Sequence, residues 1–113
     1  VSVYRTAGVP VDQPCALTRL ERHILGSQTF VPLAQARVLM VVAPPLAGEE
    51  APDLTRMQAF WLEPGQGATL AAGTWHHPMI AVGPAEVLVV ERRAPQVDCE
   101  LYPLPGCCSV YVA

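Results

Sequence analysis

Val38-Leu39-Met40-Val41-Val42 decides the fold. Five apolar residues run in a row, and a proline pair follows at Pro44-Pro45. A short run apolar on both faces is a strand covered on both sides, as in the middle of a sandwich. Val87-Leu88-Val89-Val90 is its counterpart late in the chain, flanked by Glu86 and by Glu91-Arg92-Arg93. Between and around these runs, twelve prolines and eight glycines are spread almost evenly. The longest stretches free of both (Cys15–Leu25, Leu33–Ala43 and Asp53–Glu63) hold eleven residues each. An interior proline costs a helix about 3 kcal/mol, so there is room for one short helix at most. Strands need only about five or six residues. The punctuation therefore predicts an all-β chain. Weaker strands are expected at Leu20–His23, Thr29–Val31, Met57–Leu62, Thr69–Ala71, Met79–Val82 and Glu100–Leu104. Ala43–Pro52 reads as a loop dividing two β-rich halves, and Glu63-Pro-Gly-Gln-Gly67 as a tight turn. Eight to ten short strands in two halves is the pattern of a jelly roll or small barrel.

The chain of 113 residues has the size of one domain, residues 1–113, with 1–14 as an N-terminal strand or arm. A content of 51% apolar and 15% charged residues excludes a disordered tail. The net charge of −3 argues against a nucleic-acid-binding surface. All the basic residues are arginine, so lysine Schiff-base and P-loop chemistry are excluded. No apolar run reaches the length of a membrane-spanning helix, and no charged-then-apolar signal segment opens the chain. Cys15, Cys99, Cys107 and Cys108 show neither disulfide nor zinc spacing, and neighbours Cys107 and Cys108 could pair only through a strained vicinal bridge. Four reduced thiols in a cytoplasmic protein is the expectation.

The three histidines fall in two places. On a strand, residues i and i+2 share a face, so Glu21 and His23 point one way and Arg22 the other. Such a pair presents two metal ligands, or an acid/base pair whose carboxylate fixes the imidazole tautomer. His76 and His77 sit in Gly73-Thr-Trp-His-His-Pro78. If that segment is extended, only one of the two imidazoles points inward.

Glu21-x-His23-x4-Gln28-x6-Gln35 with Gly73-x-x-His76 downstream resembles the two motifs of the cupin superfamily. Glu21 stands at the first histidine's position, His23 at the second, Gln28 at the glutamate's and His76 at the last, with Gln35 replacing the closing glycine. More closely, Leu20–Leu33, Pro52-Asp-Leu-Thr55 and Gly73-Thr-Trp-His-His-Pro-Met79 resemble the ureidoglycolate lyase family. The similarity runs in order through Val38–Ala43 and Val87–Glu91 to Asp98-Cys-Glu100. It is looser across Val1–Pro14, and the tail Pro105–Ala113 diverges.

The resemblance implies a cupin-type double-stranded β-helix, or jelly-roll barrel, that forms a homodimer. It implies a carbon–nitrogen lyase releasing urea and glyoxylate from ureidoglycolate in allantoin catabolism. That reaction needs a base for the carbinol hydroxyl, an acid for the departing nitrogen and a cation or metal for the carboxylate. His76, His23 and Glu21 are the expected catalytic groups. Gln28, Arg37 and Trp75 are the expected substrate contacts, although Trp75 also reads as core and Arg37 and Arg22 as surface ion pairs. Alternatively Glu21, His23, Gln28 and His76 ligate one divalent ion that chelates the hydroxyl and carboxylate. Two rival readings are a metal-dependent cupin enzyme acting on another hydroxy acid or a sugar derivative, and a non-catalytic cupin binding a small acid. Lyases of the family carry several tens more N-terminal residues. If those complete the pocket or the dimer, a loss of activity or a changed substrate is expected here. The tail's Ser-Val-Tyr-Val run is expected to pair as an edge strand with another subunit.

Overall fold

The computed structural model describes residues 1–10, 13–92, 98–106 and 108–112. The two valine-rich runs form its two central strands. In chain order the strands are β1 (Ser2–Thr6), β2 (Gln13–Ala16), β3 (Arg19–Arg22), β4 (Gln28–Pro32), β5 (Val38–Ala43), β6 (Gln58–Leu62) and β7 (Ala68–Leu70). There follow β8 (Trp75–His76), β9 (Ile80–Ala81), β10 (Ala85–Glu91), β11 (Glu100–Pro103) and β12 (Ser109–Val112). One 3₁₀ turn, Leu54–Arg56, is capped by the Asp53 carboxylate, which accepts from the Thr55 N–H. One short helix was the limit that proline allowed.

A four-stranded sheet runs β1-β10-β4-β7, and a six-stranded sheet runs β11-β3-β8-β5-β6 with β9 also paired to β5. Every pairing within them is antiparallel. The all-β, cupin-type expectation holds as a sandwich of facing sheets. Among the described residues no ladder closes the two sheets formally into a cylinder.

β5 explains why a strand apolar on both faces was needed. Its alternate residues Val38 and Met40 enter a core with Phe30, Leu62, Val87 and Val89, between the two sheets. Leu39, Val41 and Ala43 enter a second core with Leu17, Leu20, Trp75, Leu104 and Val112. That second core lies on the outer face of the six-stranded sheet, under the two-stranded ribbon β12-β2. A fully buried Val, Leu or Met stabilises by about 1.5–3 kcal/mol, so both faces of β5 contribute.

The ribbon corrects one expectation. Ser109–Val112 is a strand, but it pairs with Gln13–Ala16 of its own chain, from Ser109 opposite Ala16 to Val112 opposite Gln13. Val112 is fully buried in the second core, which gives the strand an intramolecular reason to dock. The turn after β4 corrects another. Ala34 (φ +54°), not Gln35, takes the left-handed conformation that a glycine would suit. Finally, Trp75-His76 is a strand of two residues held between β3 and β5.

Candidate active site

The alternation on β3 builds the site. Leu20 and Arg22 are buried toward the second core, which turns Arg19, Glu21 and His23 to the inner face of the sheet. His76 is brought opposite Glu21 by the β3–β8 ladder, so its ring is on that inner face as well. Its imidazole lies 5.4 Å from that of His23 and 6.0 Å from the Phe30 ring, centroid to centroid. Gln28 enters from the facing sheet at the start of β4. These side chains line a cavity of about 430 Å³, large enough for a small acid.

Local backbone chemistry aims the histidines. Ala71–Thr74 is a turn in which the Thr74 N–H donates to the Ala71 carbonyl at 3.1 Å. Gly73 takes φ +85° in it, a conformation that disfavours a side chain, and its N–H donates to the His23 carbonyl at 2.8 Å. The Gly73-x-x-His76 spacing thus ties the approach to β8 onto the end of β3. His76 Nδ1 donates to the Thr74 carbonyl at 3.2 Å, and His23 Nδ1 donates to the Asp98 carbonyl. In its neutral form each imidazole is left with Nε2 as the acceptor, the state a general base needs. The Asp98 carboxylate accepts from the N–H groups of Ile24 (2.8 Å) and Leu25 (3.0 Å), which fixes the loop after His23. The Gln28 amide donates to Glu91 at 2.6 Å, and among the described residues its carbonyl oxygen has no partner.

Burial holds the His76 imidazole below its ordinary value of 6.5. The Thr74 hydrogen bond and the charges of Glu21 and Glu91 oppose that shift, and His23 adds to it. His77 is also lowered, again chiefly by burial. A depressed folded pKa means that the unfolded chain binds protons where the folded chain does not. The stability present above pH 6.5 is therefore lost as pH falls through the depressed values. Urea midpoints should fall between about pH 8 and pH 5, and less steeply in a variant carrying His76→Asn and His77→Asn. An equal slope in both proteins would remove these histidines as the cause.

Four of the expected residues meet here: Glu21, His23, Gln28 and His76. Two do not. Trp75 is 1% exposed in the second core, on the opposite face of the sheet. Arg37 stacks on Trp61 at 3.8 Å and pairs with Glu63 at 2.7 Å, lining a separate open hollow with Arg5 and Glu86. Arg22 is nearly buried against Trp75, not a surface ion pair. His77 also lines the cavity, so both imidazoles of the pair reach it and not one alone; the His77 N–H donates to the Val41 carbonyl beyond the short β8 ladder.

Arg19 and Glu91 also line the cavity. The signal for Arg19 was present: it stands two residues before Glu21 on the same face. Beginning the strand at Leu20 hid it. As for a metal, the four expected ligands line the same cavity. Among the described residues, however, no group of three or more His, Cys, Asp or Glu side chains is gathered closely enough to hold an ion. Cys15, Cys99 and Cys108 are free thiols. Cys107, with any vicinal bridge, and Arg93 lie outside the described residues. No helix among the described residues is long and apolar enough to cross a membrane.

The family model described as ureidoglycolate lyase matches residues 1–110. A ureidoglycolate lyase of Burkholderia cepacia is 45% identical over 106 residues, 92% of this chain and 56% of that protein. One from Burkholderia mallei is 44% identical over 93 residues (81% and 51%), and one from Azotobacter vinelandii 38% over 101 residues (88% and 58%). The chain spans about half the length of the curated relatives it matches. The match runs through both blocks that meet at the cavity, Glu21–Gln28 and Gly73–Met79, and the chain belongs to the ureidoglycolate lyase family.

Proposed function

We propose that this chain carries the active site of a ureidoglycolate lyase, a carbon–nitrogen lyase of allantoin catabolism that releases urea and glyoxylate. The observation that carries the reading is the buried His76 imidazole. Among the described residues its Nε2 has no partner, and it stands beside His23 in the wall of a cavity of the right size, in a chain of this family.

The chemistry follows from the placement. His76 Nε2 takes the proton of the carbinol hydroxyl. The oxygen's electron pair forms the aldehyde C=O as the C–N bond breaks, and its electrons leave with the urea nitrogen. His23, in its protonated form, gives that nitrogen a proton. Solvent then returns the proton from His76 to His23, so that no net proton is consumed. Glu21, directly across the ladder from His76, offsets the imidazolium charge as it forms. The Gln28 carbonyl oxygen suits the ureido N–H.

Arg19 is the one arginine among the described residues lining the cavity, and it supplies the cation for the carboxylate. Its contact to Glu21 is long, at 3.7 Å, which leaves the guanidinium available. Arg19→Met should raise KM about 10-fold with little change in kcat, the mark of a lost binding contact. Arg37→Met, at the other hollow, should leave both unchanged. Equal effects at the two positions would move the carboxylate elsewhere.

Homodimerisation and a cytoplasmic location belong to the same proposal. Exposed apolar side chains on edge strands, Val3 on β1 and Leu101 on β11, support the first, and the free thiols support the second. The direct test is glyoxylate release from racemic ureidoglycolate by the purified chain, with and without chelator. Turnover above the spontaneous rate is expected. No turnover by the folded chain with divalent metal resupplied would overturn the lyase reading.

A further inference from the structure

Arg22 has an unusual seat: among the described residues it is the one buried side chain of the Asp, Glu and Arg types. It is 9% exposed, and its guanidinium lies 4.7 Å from the centre of the Trp75 ring. Glu100, opposite it in the β3–β11 ladder, accepts from Nε at 3.1 Å and from Nη2 at 2.8 Å. Trp75 is 1% exposed and its indole N–H has no hydrogen-bond partner among the described residues, so the ring face against Arg22 is the polar interaction they offer this indole. None of these atoms reaches the cavity.

Their chain neighbours do. Arg22 stands between Glu21 and His23, and Trp75 stands next to His76. Successive side chains on a strand point to opposite faces, so what fixes Arg22 and Trp75 behind the sheet also fixes Glu21, His23 and His76 in front of it. The requirement is greatest at β8. A strand of two residues has little ladder of its own, with Glu21 on one side and Val42-Ala43 on the other. Two fixed hydrogen bonds and a stack give the guanidinium one geometry, which a hydrated ammonium would not reproduce.

We propose that Arg22 is a positioning residue: clamped between the Trp75 ring and the Glu100 carboxylate, it sets from behind the sheet the orientation of His76 and His23 toward the cavity. The proposal deepens the lyase reading and rests on it for its catalytic consequence, while the orientation itself is observable without turnover.

The test compares Arg22→Met, Arg22→Lys and Glu100→Gln with wild type. Val112→Ala serves as a control that weakens the same core while leaving the Arg22–Glu100 pair and the Trp75 ring in place. Two quantities are read at a single pH: steady-state kinetics on ureidoglycolate, and imidazole ¹⁵N–¹H correlation spectra reporting the Nδ1–H tautomers and the contact between the two rings. A displacement of about 1 Å in a catalytic group costs on the order of 10²-fold in rate. Arg22→Met should therefore lose about 10²-fold in kcat with KM within about threefold, and Glu100→Gln about 10-fold. Both should scramble the Nδ1–H signals. Arg22→Lys should fall between wild type and Arg22→Met, and Val112→Ala should lower Tm while leaving kcat and the imidazole signals as in wild type.

Wild-type imidazole signals in folded Glu100→Gln and Arg22→Lys would overturn the proposal even if Arg22→Met failed to fold. So would a Val112→Ala control that loses kcat to the same degree. If wild type shows no turnover, the spectra alone decide: disturbed imidazoles in the clamp variants would keep the positioning role while the lyase reading failed.

Discussion

His76→Asn is expected to lower turnover of ureidoglycolate by about 10²–10⁴-fold, the range a positioned general base contributes. Asparagine roughly matches the ring's reach to the Thr74 carbonyl but has no nitrogen lone pair to accept a proton. The loss should fall on kcat and kcat/KM together, because proton abstraction occurs only in the transition state. Tm should move by only a few degrees. His76 is 5% exposed but belongs to neither apolar core, and asparagine leaves a smaller void than alanine would. The measurement is glyoxylate release at saturating substrate alongside a thermal melt. A large fall in Tm with full activity per folded molecule would make His76 a structural residue and sink the proposed base.

This outcome also bears on how much of the site could be read before the fold was known. The pairing of Glu21 with His23 on one face is a local property of a strand, and it holds because Leu20 commits the opposite face to burial. The two valine-rich runs were legible for the same reason, since period and composition agree within a few residues. What depends on distant chain was not legible. Trp75-His76 has a strand's geometry only because β3 and β5 flank it, so its two side chains are sent to opposite faces by partners far away in sequence. Trp75 consequently goes to the outer core and not to the cavity.

Arg37 illustrates a second limit. It follows the turn after β4, whereas Gln28 begins that strand, so the two lie toward opposite ends of the sandwich. Nothing in the composition around Arg37 tells which end holds the site. Edge pairing is a third. Ser109–Val112 is plainly a strand by composition, but its choice of Gln13–Ala16 rests on burying Val112 in the outer core, which is assembled from distant chain that no local window contains.

Phe30→Ala is expected to have the largest effect on stability among substitutions at the cavity wall and to change the site's acidity with it. Phe30 is 3% exposed, packs in the inner core, and holds its ring 6.0 Å from that of His76. Removing a buried phenyl costs about 3–5 kcal/mol, against a total of about 5–15 for a domain. A fall in Tm on the order of 10–20 °C follows. The void also opens toward the cavity that His76 lines, so water reaches the imidazole. Burial is the largest cause holding His76 below 6.5, and hydration relieves it. Its pKa should then rise toward the ordinary value, which moves the acid limb of kcat/KM to higher pH. Phe30→Leu, which keeps most of the volume, should show both effects in weaker form and remains folded if the alanine variant does not. NMR titration of the His76 ring and a pH–rate profile below the melting temperature check the two together. A destabilised variant whose His76 titrates as in wild type would show that the Phe30 ring packs the core without keeping the base dry, and the depressed imidazole would then have to be credited to the strands around β8.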